Sequence, residues 1–259
     1  MSEEEEAPAA ITGRKIFFLY PTGSIINQIV AELGQMEYEA YIARDHSKLL
    51  RALKKYEDSI VYINLDDKMP ETEWEKWILT IRSTQPQVDI GVFTGNNDEE
   101  LKTKYIEKLK VNCGYFALKQ DMHKAPEQLI EVLDKMDVKG RRKYLRASAE
   151  PDSNTTMNMP FNGGFVNGVL RDISVVGFSC VFETDPNLAK NSLHKGIQIR
   201  LQSTLLNTDA VVFGSRTDPE TNEKIYVMIF TQRVETESKA KIRKYIMANL
   251  QAKIDSEIN

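Results

Sequence analysis

Along the first half of the chain, short apolar runs alternate with amphipathic stretches. Lys15-Ile16-Phe17-Phe18-Leu19-Tyr20 is almost wholly apolar and closes on Pro21-Thr22-Gly23, the form of a parallel strand buried on both faces. From Ser24 the apolar positions Ile25, Ile29 and Leu33 recur at helical spacing. The cycle then repeats. Tyr38 to Ala43 is a strand and Ser47 to Tyr56 a helix with Leu49, Leu50 and Leu53 inward; Ser59 to Leu65 is a strand and Thr72 to Ile81 a helix bearing Trp74, Trp77 and Ile78. Val88 to Thr94 precedes a helix from Glu99 to Lys110, and Gly114 to Leu118 precedes one that opens on Pro126 and runs to about Asp137. Five βα units with right-handed crossovers predict a doubly wound parallel sheet over residues 14–138.

The second half has a different period. Gly140 marks a hinge, residues 139–146 form a basic arm, and a second domain occupies 141–259. Leu145 to Ala149 enters its first strand, and Pro151 to Pro160 reads as a polar loop or hairpin tip. Phe165 to Asp172 and Gly177 to Glu183 are strands that meet at a tight corner. Ile197 to Leu201 alternates as a half-buried strand does, Ala210 to Ser215 follows, Asp218 to Asn222 is a turn, and Lys224 to Thr231 is the last strand. From Thr236 the apolar positions Ile242, Tyr245, Ile246, Leu250 and Ile254 recur at three and four, predicting an amphipathic terminal helix.

Composition narrows the function. The 259 residues are 41% hydrophobic and 28% charged with a net charge of −4, as in ordinary globular chains and without the global basic field of general nucleic-acid binders. Cations are instead concentrated locally, at Lys139, Arg141, Arg142, Lys143 and Arg146. Two cysteines, Cys113 and Cys180, lie inside apolar runs as buried free thiols, and the three histidines lack ligand spacing, so no metal site is expected. No stretch approaches the roughly 20 apolar residues that cross a bilayer. The start of the chain (residues 1–13) is acidic, Ser2-Glu3-Glu4-Glu5-Glu6, where a secretory signal is basic and then apolar, and a flexible tail is expected there. A cytoplasmic protein is expected.

Two motifs carry the chemistry. Arg142-Lys143-Tyr144-Leu145-Arg146 has the pattern R-x-x-x-R, with Arg141 in front; Asp172-Ile173-Ser174-Val175-Val176-Gly177 has the pattern D-x-S-x-x-G. An arginine fork matches a phosphate, and equally the adjacent O6 and N7 acceptors of guanine. Asp172 can accept from the N1 and N2 donors on guanine's other edge. Ser174 offers a short hydroxyl, and Gly177 admits a close backbone approach. Each motif alone has a plainer reading: the first as a solvated linker, the second as turn chemistry. Neither supplies a nucleophile, so binding without catalysis is expected.

In this order the two motifs resemble the ligand signature of the PilZ domain, a family of small β-barrels that bind the bacterial second messenger cyclic di-GMP. The resemblance implies a six-stranded antiparallel β-barrel with a terminal α-helix. It also implies cyclic di-GMP as ligand rather than a resident cofactor, held by Arg141, Arg142, Arg146, Asp172, Ser174 and Gly177, with a protein partner downstream in motility or virulence control. The alternatives are a ligand-independent interaction scaffold, or nucleic-acid binding through the basic arm; the negative net charge and the single ring in the arm, Tyr144, disfavour the second.

The first domain resembles a response-regulator receiver. Asp66 stands three residues before Met69-Pro70, where the resemblance places a phosphoacceptor; Thr94 takes the place of the switch hydroxyl and Lys119 that of the lysine after strand five. Receivers carry an acidic pair for Mg²⁺ after strand one, and this chain has Leu19-Tyr20-Pro21 instead; Gln120 replaces the usual proline. A relic used for contacts is expected, not a working phosphoacceptor.

Overall fold

The structure, a computed structural model, describes residues 12–149, 155–231 and 236–258. The acidic stretch up to Ile11 and residues 150–154 of the expected loop lie outside them. The chain divides into two compact units, one reaching to Lys143 and including the chain end from Gln251, the other Tyr144–Leu250.

The first unit is a five-stranded parallel sheet in the order β2-β1-β3-β4-β5, formed by β1 (Lys15–Leu19), β2 (Ala40–Ala43), β3 (Ser59–Asn64), β4 (Asp89–Thr94) and β5 (Tyr115–Ala117). All six residues of β3 are buried, as a central strand covered on both faces requires. The crossovers are α1 (a π-type stretch Ile25–Val30 continuing as Ala31–Gln35), α2 (His46–Lys55), α3 (Glu71–Thr84) and α4 (Glu99–Thr103 continuing through Lys104–Lys108). A short α5 (Leu118–Asp121), not expected from the sequence, precedes α6 (Ala125–Lys135). Asp45 caps α2 by accepting from the Ser47 and Lys48 amides, and Asp98 caps α4 in the same way. Cys113 is a free thiol whose burial pushes its pKa up to about 12, so it stays protonated and inert at neutral pH.

The last turns of the terminal helix α7 (Thr236–Ile258) also belong to this unit. The Gln251 amide bonds the edge strand β2 twice: Oε1 accepts from the Ile42 N–H at 2.8 Å and Nε2 donates to the Ile42 carbonyl at 3.0 Å. Glu257 is held by Lys55 at 2.9 Å and by the Tyr56 hydroxyl.

The second unit is a closed antiparallel barrel. Its ring runs β8-β7-β10-β11-β12-β9 and returns to β8, the strands being β7 (Thr155–Phe161), β8 (Gly164–Ser174), β9 (Gly177–Phe182), β10 (Leu193–Leu201), β11 (Thr204–Thr217) and β12 (Lys224–Phe230). This six-stranded ring with its terminal helix is the architecture the PilZ resemblance implies. Inward residues such as Met157, Leu170, Ile199, Val212 and Met228 fill it, and α7 adds Ile242 and Ile246 to the same core. The short β6 (Ala147–Ser148) pairs only with β8 and stands outside the ring.

One expectation is corrected. Residues 155–160, read as loop, are most of β7, whose inward Thr155, Met157 and Met159 are buried while Thr156 and Asn158 face outward. β7 joins β8 through Asn162-Gly163, both at positive φ (49° and 79°), the conformation of a type I′ hairpin turn. Polar residues at the outward positions of a half-buried strand mimic loop composition.

At the next hairpin, Ser174 pairs with Gly177 across the two-residue turn Val175-Val176. The Ser174 hydroxyl donates to the Gly177 carbonyl at 3.1 Å and accepts from the Val176 amide at 3.4 Å. A Cβ on Gly177 would collide with the Met228 carbonyl of the neighbouring β12. Gly177→Ala is therefore expected to destabilise the ligand-free barrel by about 2 kcal/mol, seen as earlier thermal unfolding.

Candidate ligand site

The D-x-S-x-x-G corner and the short β6 together build the candidate site. Because the turn fixes Ser174 opposite Gly177, Ile173 falls opposite Phe178 and Asp172 opposite Ser179. Ser179 Oγ donates to Asp172 Oδ2 at 2.6 Å from a buried position, orienting the carboxylate. A bulge between Leu170 and Asp172 then shifts the register of β8 just before the site.

β6 sets the cation beside it. Ala147 pairs with Ile173 and Ser148 with Asp172, and the Ala149 amide donates to the Arg171 carbonyl. Ala147 points into the core, so its neighbour Arg146 points outward on the side of Asp172. Arg146 Nη1 lies 3.7 Å from Asp172 Oδ1, the side chains being 48% and 29% exposed. This is a loose, wet pair: a clear acceptor edge on Asp172 and a guanidinium with spare donors.

Arg171, at the bulge, is committed elsewhere, to Glu223. Ser174 is 3% exposed and Gly177 is buried, and the turn and the β9–β12 approach engage them. Arg141 and Arg142 are exposed on the irregular segment after α6, within the first unit's share of the chain. The structure thus brings Arg146 and Asp172 together, with Ser174 and Gly177 in the hairpin that carries Asp172.

Ser179 escaped the sequence reading. Its signal was present: counting back equally on both sides of the two-residue turn places it across from Asp172.

In the first unit, Asp66, Thr94 and Lys119 gather at the carboxyl end of the sheet. Thr94 Oγ1 donates to Asp66 Oδ1 at 2.7 Å, the Gly95 amide donates to Oδ2 at 2.5 Å, and the Lys119 side chain runs past Gly95. After β1, where a receiver carries its acidic pair, Tyr20 sits at φ 51°. Its hydroxyl is hydrogen-bonded to His46 Nδ1 at 2.9 Å, and its ring meets the edge of Trp74. Among the described residues no cluster of His, Cys, Asp and Glu suits a metal ion, and no helix is long and apolar enough to cross a membrane.

No family model and no curated protein matches the chain. Among solved structures, the cyclic di-GMP-bound PilZ domain of YcgR from Escherichia coli aligns at 16% identity over 45% of this chain and 97% of that one, TM-score 0.38. The MrkH–cyclic di-GMP complex of K. pneumonia aligns at 19% identity over 46% and 57%, TM-score 0.40, so the chain spans little more than half of MrkH. The signal receiver domain of an HD domain-containing protein from Pseudomonas fluorescens Pf-5 aligns at 19% identity over 48% and 98%, TM-score 0.39.

Two outcomes follow for the ligand-free protein. Arg146→Ala should change barrel stability by less than about 1 kcal/mol, the worth of an exposed ion pair, measured by denaturant unfolding. Asp66→Ala removes the acceptor for Thr94 and Gly95 and should cost the first unit about 1 kcal/mol, seen as a lower melting temperature for that unit.

Proposed function

We propose that this protein is a non-enzymatic effector that binds cyclic di-GMP at the β8–β9 corner. The reading rests on one observation above all: the register of β6 holds Arg146 against Asp172 in a loose, half-exposed pair. A strong internal salt bridge would resist a ligand, whereas this one gives way at little cost. A phosphate can take the Arg146 fork, which frees Asp172 Oδ1 to accept from the N1 and N2 donors of guanine. Ser179 keeps the carboxylate aimed while its partner changes.

Arg142 and Arg141 supply the remaining cations for a dianionic ring, from the exposed segment ahead of Arg146. Ser174 and Gly177 serve by shaping the hairpin that presents Asp172. The basic run repels itself when empty, and neutralisation by ligand favours an ordered arm. That change is the signal, passed between the units or to a protein partner in motility or virulence control. The ligand biases it only by its differential affinity for the two arrangements.

Isothermal titration of the full chain with cyclic di-GMP tests the reading. Arg142→Ala and Arg146→Ala should each weaken binding roughly ten- to a hundredfold, as for the loss of charged hydrogen bonds of about 1.5–3 kcal/mol. Absence of heat with the parent chain, or unchanged affinity in both variants, overturns it.

A further inference from the structure

A groove of about 280 Å³ crosses the outer face of the barrel, on strands β7, β8 and β10. The register arranges its lining in two rows. Asn158 on β7 stands between Asn167 on β8 and Gln198 on β10, and its Nδ2 donates to Asn167 Oδ1 at 2.8 Å. One step along, Thr156 stands between Val169 and Arg200. Glu183, exposed just past β9, also lines the groove.

Apolar surface accompanies this polar set. Val169 is 44% exposed and Leu205 is 59% exposed, and both line the groove. No ion pair engages Arg200 among the described residues. Aliphatic walls with a guanidinium, a carboxylate and side-chain amides at the margins suit a flat heteroaromatic ring with donors on one edge and acceptors on another.

Guanine is the base whose edges fit both charges. Its O6 and N7 acceptors match the arginine fork, while its N1 and N2 donors match a carboxylate. Adenine presents a donor at N6 beside N7 and an acceptor at N1, so it meets repulsion at both charged groups. The groove is also well placed. Val169 precedes Asp172 by three residues on β8, about 10 Å at ~3.3 Å per residue, a separation that two bases joined through one sugar–phosphate ring can span.

We propose that this groove seats the second guanine of the cyclic dinucleotide, with Arg200 reading O6 and N7 and Glu183 the opposite edge. The proposal rests on the functional reading above, in which the first guanine meets Asp172. It makes Arg200 a specificity-determining residue outside both motifs.

The test is titration of the full chain with cyclic di-GMP, cyclic di-AMP and the mixed guanine–adenine cyclic dinucleotide. The variants are Arg200→Ala, Arg200→Lys and Thr156→Trp, with Arg146→Ala as the marker of the first subsite. Arg200 and Thr156 face outward, so ligand-free melting should stay unchanged. The parent should prefer cyclic di-GMP over the mixed ligand. Arg200→Ala and Arg200→Lys should each lose at least tenfold for cyclic di-GMP and show a smaller preference for it over the mixed ligand than the parent does, because lysine keeps the charge without the fork and Glu183 still reads the opposite edge. Thr156→Trp, which fills the groove, should lose at least as much. If the three groove variants bind cyclic di-GMP like the parent while Arg146→Ala does not, the groove assignment is wrong and the effector reading stands. If the parent binds no cyclic dinucleotide, both fall.

Discussion

The pairing of β8 with β9 across a two-residue turn is the constraint on which the second unit depends. It closes the ring, since β8 already pairs with β7 and β9 with β12. An antiparallel sheet of this size left open would carry two unpaired edges, and closure removes them. The same pairing fixes Asp172 opposite Ser179, so the geometry that completes the barrel also aims the carboxylate. Barrel closure and the proposed recognition share one hairpin.

That sharing explains how D-x-S-x-x-G, a turn motif in this structure, could also serve the ligand role proposed for it. Ser174 and Gly177 act through the backbone: one ties the corner with its hydroxyl, the other lets β12 come close. Asp172 and Arg146 face outward and remain available. The first unit makes the opposite trade. It gathers Asp66, Thr94 and Lys119 at the carboxyl end of its sheet and places Tyr20 just after β1, with hydroxyl and ring spent on His46 and Trp74.

Legibility in the sequence followed the strength of the local signal. The βα units could be read because buried parallel strands such as Ile60 to Ile63 are continuous apolar runs, and each is bounded by caps or turns. Asp172 could be read because a motif marks it. β7 could not be read by composition, since Thr156 and Asn158 occupy its outward positions, although Asn162-Gly163 announces the hairpin. β11 begins at Thr204, ahead of the apolar run at Ala210, because pairing with β10 and not propensity makes Leu205 to Thr208 extended. Ser179 and the Val169–Thr156–Arg200 row depend on register across strands, which a linear reading does not supply until the turns are fixed.

The Gln251 side chain behaves towards β2 as a single rung of a missing sixth strand. Its amide gives Ile42 one donor and one acceptor, the pair a neighbouring strand would offer, and does so from a helix that cannot extend the sheet. An outermost strand satisfied in this way is a poor template for docking another chain. The end of the carboxyl-terminal helix therefore closes this one edge at Ile42, and trimming it back past this glutamine would leave that backbone pair open in a unit whose own strands are all intact.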